Sequence, residues 1–506
     1  MRTTRGAVLV ACAALLGTAA ACDGGDGRTG TKAPSAAPAP GPATSASTLG
    51  SLDRGPGRPA PGRPQDRPRE GDLNGDGYDD VALARDGAVY VVYGSADGPA
   101  PRTRTTLTVS GGSPKPDIDG VPRLHRADLD GDGFTDLLVT TVDGKQYALW
   151  GGARGITGMR RLAIGGDGDT LRVLGPRFGG FADFGSVADF DGDGSGDIFR
   201  LGRPDRSAGV AFYGPFDRRT GRPARQAELT ENIPADSAPY QSTSEDYDGD
   251  GRAELTVWFE WTGPESEGDG DLTLRGVHHF RGTPRGLVLA QESERGEEFT
   301  GHPGDTDGDG DDELYQARFF ASDQKLTVSV NSTPGKAGSA AEAPGGQDSE
   351  AATVTIADLP GLNSRCCGGT EGRAVGDVTG DGRPDLVLSA PAANDAHGII
   401  YLVPDIDRLV RGMTSAGQVR PQAVDLESTG VDGESREPGD ANRQYIRHRL
   451  ASKPPLLDVN GDGRLDVIAA SGGRKKRTGF WVFFGVPGGL DTGASRHITE
   501  EDLDLE

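Results

Sequence analysis

Seven copies of one nine-residue acidic loop run through the chain. Positions 1, 3 and 5 carry a carboxylate or amide, with threonine once at position 3; positions 4 and 6 are glycine, and position 9 is a carboxylate. Ca²⁺ takes six to eight oxygen ligands, so oxygens at alternate positions of a tightly curled loop suit it. Glycine at positions 4 and 6 lets the backbone curl without a Cβ clash. The loops, numbered 1 to 7, begin at Asp72, Asp128, Asp189, Asp246, Asp305, Asp377 and Asp458.

The predicted Ca²⁺ ligands are the side chains of positions 1, 3, 5 and 9 and the backbone carbonyl of position 7. In loop order they are Asp72, Asn74, Asp76, Tyr78 and Asp80; Asp128, Asp130, Asp132, Phe134 and Asp136; Asp189, Asp191, Asp193, Ser195 and Asp197; Asp246, Asp248, Asp250, Arg252 and Glu254; Asp305, Asp307, Asp309, Asp311 and Glu313; Asp377, Thr379, Asp381, Arg383 and Asp385; Asp458, Asn460, Asp462, Arg464 and Asp466. The pattern predicts up to seven ions. We expect loop 6 to bind most weakly, because Thr379 replaces the acid or amide.

Two other interpretations of the loops stay open. One is a metal-free polar turn, although turns require neither this set of oxygens nor both glycines. The other is a catalytic metal, which needs an open coordination position that these loops can fill themselves. An EF-hand is excluded, because it needs a glutamate at position 12 and no copy has a carboxylate there.

The residues that follow each loop predict β-strands. An aliphatic residue comes directly after position 9 and begins a short apolar run that ends in glycine or a polar turn, which places the loop between two strands of a hairpin. Successive loops begin 56, 61, 57, 59, 72 and 81 residues apart, which is enough for a four-stranded sheet with its connections. A fixed period with strand patterning indicates a propeller or solenoid. We predict an all-β, seven-bladed β-propeller of four-stranded antiparallel blades.

Strands can be assigned within the repeat. In the first copy we predict Glu70–Leu73, Val81–Ala84, Ala88–Tyr93 and Thr103–Ser110 as strands one to four. The third strand recurs with an aromatic residue and a glycine at its end, in the pairs Tyr93-Gly94, Trp150-Gly151, Tyr213-Gly214 and Phe484-Gly485. We expect these aromatics to pack between adjacent blades; stacking on a ligand is the alternative. The pair His278-His279 falls in a predicted third strand and is interpreted as structural.

The chain resembles the FG-GAP repeats of integrin α-chain propellers and of related bacterial surface proteins. Phe184-Gly185-Ser186, ahead of loop 3, matches the first half of the signature, and Ser389-Ala390-Pro391, after loop 6, resembles the second half. The resemblance covers residues 67–499 and implies a calcium loop between the first two strands of each blade. It also implies partner contacts on the rim opposite these loops. The longer loops there are 202–208, 261–271, 391–398 and 472–479.

The acidity of the chain is explained by the loops. They contribute 25 acidic ligand side chains, and seven Ca²⁺ ions would reduce the formal charge from −24 to −10. An acidic surface makes nucleic acid an unsuitable partner. The basic run Arg474–Arg477 is interpreted as a solvated loop or a contact to anionic wall polymer or lipid.

The N-terminus predicts export. Residues 1–21 have basic residues, a short apolar stretch and small residues before Cys22, as in a secretory signal. The segment also resembles a bacterial lipoprotein signal, which implies a lipid on Cys22; Cys12 and ordinary secretion are the alternatives. Residues 22–66 are rich in Pro, Ala, Gly and Ser and predict a disordered tether. The protein is therefore expected at the outer side of the cell membrane or secreted.

Further segments complete the predicted organisation. The propeller spans 67–499, with insertions near 331–350 and 405–450, and 500–506 form an acidic tail. Residues 405–413 have an amphipathic helical pattern. The adjacent Cys366 and Cys367 form either a vicinal disulfide or two thiols.

The leading function predicted is a calcium-stabilised, non-enzymatic surface propeller, a monomeric ring that recognises a protein or glycan. The 80 glycines and a hydrophobic content of 34% suit short strands with many turns and not a helical enzyme. The alternatives are a polysaccharide lyase or hydrolase of the propeller type, and a calcium-dependent lectin. No catalytic motif of the G-x-S-x-G or H-E-x-x-H kind occurs, and the seven histidines are scattered.

Overall fold

The computed structural model describes most of the repeat region in separate ranges. They are residues 50–63, 69–85, 88–109, 124–141, 145–164, 185–262, 274–293, 302–306, 308, 312–320, 325–331, 352–356, 373–390, 399–411, 419–425, 448–449, 456–471, 479–499 and 501–504. Cys12, Cys22, the signal region and the Cys366-Cys367 pair lie outside these ranges. So do most residues of the rim loops 261–271, 391–398 and 472–479 and of the insertion 331–350.

Seven antiparallel sheets form within the described residues, one for each predicted blade. Blade 1 contains β1 (Gly50–Arg54), β2 (Val81–Arg85), β3 (Ala88–Val92) and β4 (Thr105–Val109), and blade 2 contains β5 (Leu124–Ala127), β6 (Asp136–Thr140), β7 (Gln146–Trp150) and β8 (Gly158–Arg161). Blade 3 contains β9 (Ser186–Ala188), β10 (Asp197–Leu201), β11 (Gly209–Tyr213) and β12 (Arg225–Leu229), blade 4 contains β13 (Ser237–Glu245), β14 (Glu254–Trp261), β15 (Leu274–Arg281) and β16 (Val288–Ser293), and blade 5 contains β17 (His302–Gly304), β18 (Glu313–Phe320), β19 (Lys325–Asn331) and β20 (Ala352–Ile356). Blade 6 contains β21 (Arg373–Gly376), β22 (Asp385–Ala390), β23 (Ile399–Val403) and β24 (Gln422–Asp425), and blade 7 contains β25 (His448–Arg449), β26 (Leu456–Leu457), β27 (Asp466–Ser471), β28 (Gly479–Val486) and β29 (Gly489–Thr499). This is the predicted seven-bladed β-propeller.

Both faces of a blade are buried, because each packs against a different neighbour. In β7, Tyr147 and Leu149 lie in a cluster with Val91 of blade 1, whereas Ala148 and Trp150 lie in a cluster with Ile198 of blade 3. Successive residues of a strand point to opposite faces. The continuous apolar runs of the sequence therefore fill the spaces between blades.

Blade 1 differs from the predicted arrangement. The segment 70–73 does not form a strand, since its backbone is used in a turn where the Gly71 carbonyl accepts from the Asp80 amide at 2.9 Å. The sheet of blade 1 is completed instead by β1, which pairs with β4 and forms the outer edge of the blade. The prediction of Glu70–Leu73 as a strand is therefore wrong. The propeller also begins before residue 67, inside the segment assigned to the tether.

The ring closes between blades 7 and 1. Leu457 and Ile468 of blade 7 share a buried cluster with Val81 and Val92 of blade 1. Leu503, from the predicted acidic tail, is 1% exposed in the same cluster, so this part of the tail belongs to the core. The predicted helical pattern after residue 405 is confirmed as α1 (Ile406–Val410), whose Ile406 and Leu409 are buried.

Candidate metal centres

In blades 2 to 6 the acidic loops lie between the first and second strands of the blade, as predicted, and in blade 7 the loop lies between β26 and β27. Their glycines take the left-handed backbone region that favours glycine: in loop 2, φ is +71° at Gly131 and +85° at Gly133. The side chain of position 1 fixes the curl. Asp128 Oδ1 accepts from the Gly131 amide at 2.8 Å and the Asp132 amide at 3.1 Å, and Oδ2 accepts from the Gly133 amide at 2.8 Å.

The position-9 carboxylate ties three segments together. In loop 2, Asp136 Oδ2 accepts from the Leu129 amide at 2.9 Å, and Oδ1 accepts from the Gly151 amide at 2.7 Å. The first donor belongs to the start of the loop and the second follows the third strand. The same pair of bonds recurs at Asp80, Asp197, Glu254, Asp385 and Asp466.

These carboxylates are costly to keep charged. Burial raises the pKa of Asp197 to about 8, and that of Glu254 and Asp466 to about 7, with repulsion from other carboxylates of the same loop as a further cause. Burial raises the pKa of Asp80 and Asp136 as well. A cation bound among these groups would offset both penalties.

Position 3 supplies the clearest sign of a place where a cation would fit. In loops 2 and 3, Oδ1 of Asp130 and of Asp191 is buried and has no hydrogen-bond partner. The two side chains are only 5% and 9% exposed. A buried carboxylate oxygen without a partner is costly, so it marks a place for an ion or water.

Among the described residues, three loops gather their carboxylates closely enough to share one ion. Ligand atoms lie within 4.8 Å of one another in the sets Asp128, Asp130 and Asp136; Asp189, Asp191 and Asp197; and Asp246, Asp248 and Asp250. The donors are all oxygen, which suits Ca²⁺. The residues present therefore fit the predicted ion.

The other loops are described less completely or carry fewer acids. In loops 1 and 7 the position-3 amides of Asn74 and Asn460 donate to position 5 at 3.0 and 3.3 Å. In loop 5, Asp307, Asp309 and Asp311 lie outside the described residues, while Glu313 Oε2 accepts from the Thr306 amide at 2.9 Å.

Loop 6 has an unexpected acidic neighbour. Asp405 stands where blades 1 to 4 and 7 have glycine after the third strand, and its φ is +53°. Burial raises its pKa, and a hydrogen bond and charge from Asp381 raise it further. The weak binding predicted from Thr379 stays a prediction.

Neighbouring loops are joined by a repeated backbone bond that the sequence did not reveal. The amide of position 8 donates to the carbonyl of position 1 in the preceding blade. The pairs are Gly196 to Asp128 at 2.6 Å, Ala253 to Asp189 at 2.8 Å, Leu465 to Asp377 at 3.0 Å and, across the closing seam, Asp79 to Asp458 at 3.0 Å. At that seam the Asp79 carboxylate also accepts from the Asp458 amide at 2.8 Å. The backbone conformation of one loop is thus linked to that of the loop in the next blade.

The third-strand aromatics pack between blades, as predicted. The Tyr93 hydroxyl accepts from the Ile156 amide of blade 2 at 2.8 Å, and the Tyr213 hydroxyl accepts from the Leu287 amide of blade 4 at 2.9 Å. His278 and His279 lie in β15, where His278 packs against Phe259 with ring centroids 4.6 Å apart. Their structural interpretation agrees with this burial.

The seven sheets and the acidic loops place this chain in the class of β-propellers whose blades each repeat one loop-containing unit. Residues 72–139 match the FG-GAP-like repeat, and residues 374–403 match the FG-GAP repeat. The chain is a seven-bladed β-propeller that contains FG-GAP repeats.

Two solved structures are similar in fold. The C-terminal domain of Pseudomonas aeruginosa PilY1 is 14% identical, with 65% of this chain and 79% of that chain covered and a TM-score of 0.33. The Dos1 propeller is 7% identical, with 85% of each chain covered and a TM-score of 0.35. No curated protein matches the sequence. Within the described ranges, no helix is long and apolar enough to cross a membrane.

Proposed function

We propose that this propeller is a calcium-stabilised, non-enzymatic binding protein of the cell surface that recognises a protein or glycan partner. The observation that carries the calcium role is the pair of buried, unpartnered oxygens on Asp130 and Asp191, each within a cluster of carboxylates. FG-GAP propellers often serve in adhesion or binding, which supports the role as a binder.

The ion would be held by the side chains of positions 1, 3, 5 and 9 and the carbonyl of position 7. Bound there, it would supply positive charge that neutralises the loop and fixes its curl. The protein's own groups already shape the turn through position 1 and anchor it through position 9. Calcium would therefore bind to a loop whose conformation is already held by hydrogen bonds within the protein.

The proposed location follows from the first segment of the chain. A lipid on Cys22 and a tether behind it would hold the ring outside the cell membrane, where calcium affinities of about 10⁻⁴–10⁻³ M suffice for extracellular modules. Cys22 lies outside the described residues, so its modification rests on the sequence alone.

The binding role is tested with a glycan array and a panel of polysaccharide substrates, each probed with the purified ring in calcium and in chelator. We expect saturable binding that calcium strengthens, and no release of oligosaccharide. Release of oligosaccharide products would contradict the non-enzymatic proposal and favour a lyase or hydrolase. Binding of no glycan would direct the search to protein partners, through pull-down from intact envelopes.

A further inference from the structure

Arginines contact the position-3 carboxylate in the three loops that have aspartate there and are described at that position. Arg218 donates to Asp130, Arg225 Nη2 to Asp191 Oδ2 at 2.6 Å, and Arg281 Nη2 to Asp248 Oδ2 at 3.0 Å. The three arginines have different places in the fold. Arg218 follows the third strand of blade 3 and reaches back to the loop of blade 2, Arg225 begins β12, and Arg281 ends β15. What they have in common is that each contacts the carboxylate of a position-3 aspartate.

In loops 2 and 3 the arginine contacts one oxygen of the position-3 carboxylate, and the other oxygen has no hydrogen-bond partner. Arg218 and Arg225 contact Oδ2, whereas Oδ1 of Asp130 and of Asp191 is buried without a partner. A planar guanidinium held on one oxygen fixes the orientation of the group. The free oxygen is thereby kept for an ion.

Loops with asparagine at position 3 lack such an arginine. Asn74 Oδ1 accepts from the Asp76 amide and Asn460 Oδ1 from the Asp462 amide, and neither side chain contacts an arginine within the structure as described. Counting positions 1, 3, 5 and 9 together with this arginine, both kinds of loop carry a charge of −3. Arginines also contact other positions. Arg252 and Arg464 contact position 5 in one loop of each kind, and Arg69, which is shared with Asp79, lies 3.4 Å from Asp458 Oδ2 in loop 7. The equivalence therefore concerns position 3 alone.

We propose that Arg218, Arg225 and Arg281 are positioning residues of the calcium sites, which neutralise and orient the position-3 aspartate so that the pair is equivalent to the asparagine of loops 1 and 7. This inference rests on the proposed calcium role. Charge count and rigidity are the means by which protein sites set calcium affinity.

The test is a double-mutant cycle at loop 2 in the full propeller. Tb³⁺, an analogue of Ca²⁺, is added as probe, and its luminescence is excited through Trp150, whose ring lies 5.5 Å from the Arg218 guanidinium carbon. Ca²⁺ competition then gives the calcium affinity of this site. The signal that disappears in Trp150→Phe is the one assigned to loop 2, and circular dichroism verifies that each variant is folded.

We expect Asp130→Asn to weaken calcium binding at loop 2 by at least about tenfold, because the loop together with Arg218, which still pairs with Asp132, then carries a charge of −2 instead of −3. Adding Arg218→Gln should restore affinity to within about threefold of the parent, since charge returns to that of the asparagine loops. The matched control is Asp130→Asn with Arg219→Gln. It has the same net charge, but Arg219 is exposed and does not contact the loop carboxylates in the described structure, so this variant should stay as weak as Asp130→Asn.

The outcomes separate the two proposals. If the parent binds the ion but Arg218→Gln fails to improve Asp130→Asn, Arg218 only links the blades and the positioning role is overturned. If the parent shows no Trp150-sensitised Tb³⁺ signal and no calcium competition, the calcium role itself fails, and the inference fails with it.

Discussion

Replacing Asp136 by alanine is expected to destabilise the propeller even when no calcium is present. The substitution removes the acceptor of two buried backbone amides, those of Leu129 and Gly151. Each buried donor left unsatisfied costs about 1–3 kcal/mol, so the free energy of unfolding should fall by about 2–6 kcal/mol. Chemical denaturation in excess chelator measures it.

Asp132→Ala in the same loop is the matched control. The Asp132 carboxylate is 35% exposed, so water can replace it at its two partners, the Arg218 guanidinium and the Phe134 amide, which donates to it at 3.2 Å. In chelator its loss should cost at most about 1 kcal/mol, as for exposed ion pairs. In calcium the cost should grow, because the ion loses an oxygen. An Asp136→Ala protein as stable as the parent in chelator would show that position 9 acts only as a metal ligand.

A second large effect is expected where adjacent blades meet. Gly155 has φ +85°, and a Cβ there would collide with the Tyr93 hydroxyl. Gly155→Ala therefore adds a left-handed backbone strain of about 1–2 kcal/mol to an overpacking cost of about 1–3 kcal/mol. Thermal and denaturant unfolding should show a loss of about 2–5 kcal/mol.

Gly488 provides a control with almost the same backbone. Its φ is +89°, but a Cβ there would have no neighbour within 4 Å. Gly488→Ala should lose only the strain of about 1–2 kcal/mol. Equal losses at the two glycines would mean that the Tyr93 contact between blades 1 and 2 contributes nothing.

The ring was predictable because its signals are local and repeated. Ligand spacing within nine residues, an aliphatic residue after position 9 and a regular period are each visible in one stretch of chain. β1 was not predictable in this way. It pairs Leu52 with Leu107, far along the sequence, and it lies in a segment whose composition indicates a tether. The segment around Gly71 forms a turn and not a strand because its backbone bonds to residues far along the sequence. One such bond, at 3.1 Å, runs from the Arg126 guanidinium to the Gly71 carbonyl.

The sequence predicts which residues would be the ligands of the candidate sites, but not the groups that hold those residues in place. The sequence shows the recurring glycine after the third strand, but it does not show that the amide of this glycine donates to the position-9 carboxylate. In blade 2 a Cβ on Gly151 would also meet the Leu73 carbonyl of blade 1 at 2.8 Å, so close approach explains the residue. The arginines lack a fixed spacing from their partners, at 88, 34 and 33 residues, and only the fold brings them together.

Anomalous diffraction from crystals grown in millimolar calcium tests the central claim most directly. The account predicts calcium peaks in the acidic loops, first in loops 2, 3 and 4, where the carboxylate oxygens already lie within 4.8 Å of one another. The peak in loop 2 should contact Asp130 Oδ1 while Arg218 remains on Oδ2. Loops without anomalous density under these conditions would contradict the claim that they are calcium sites.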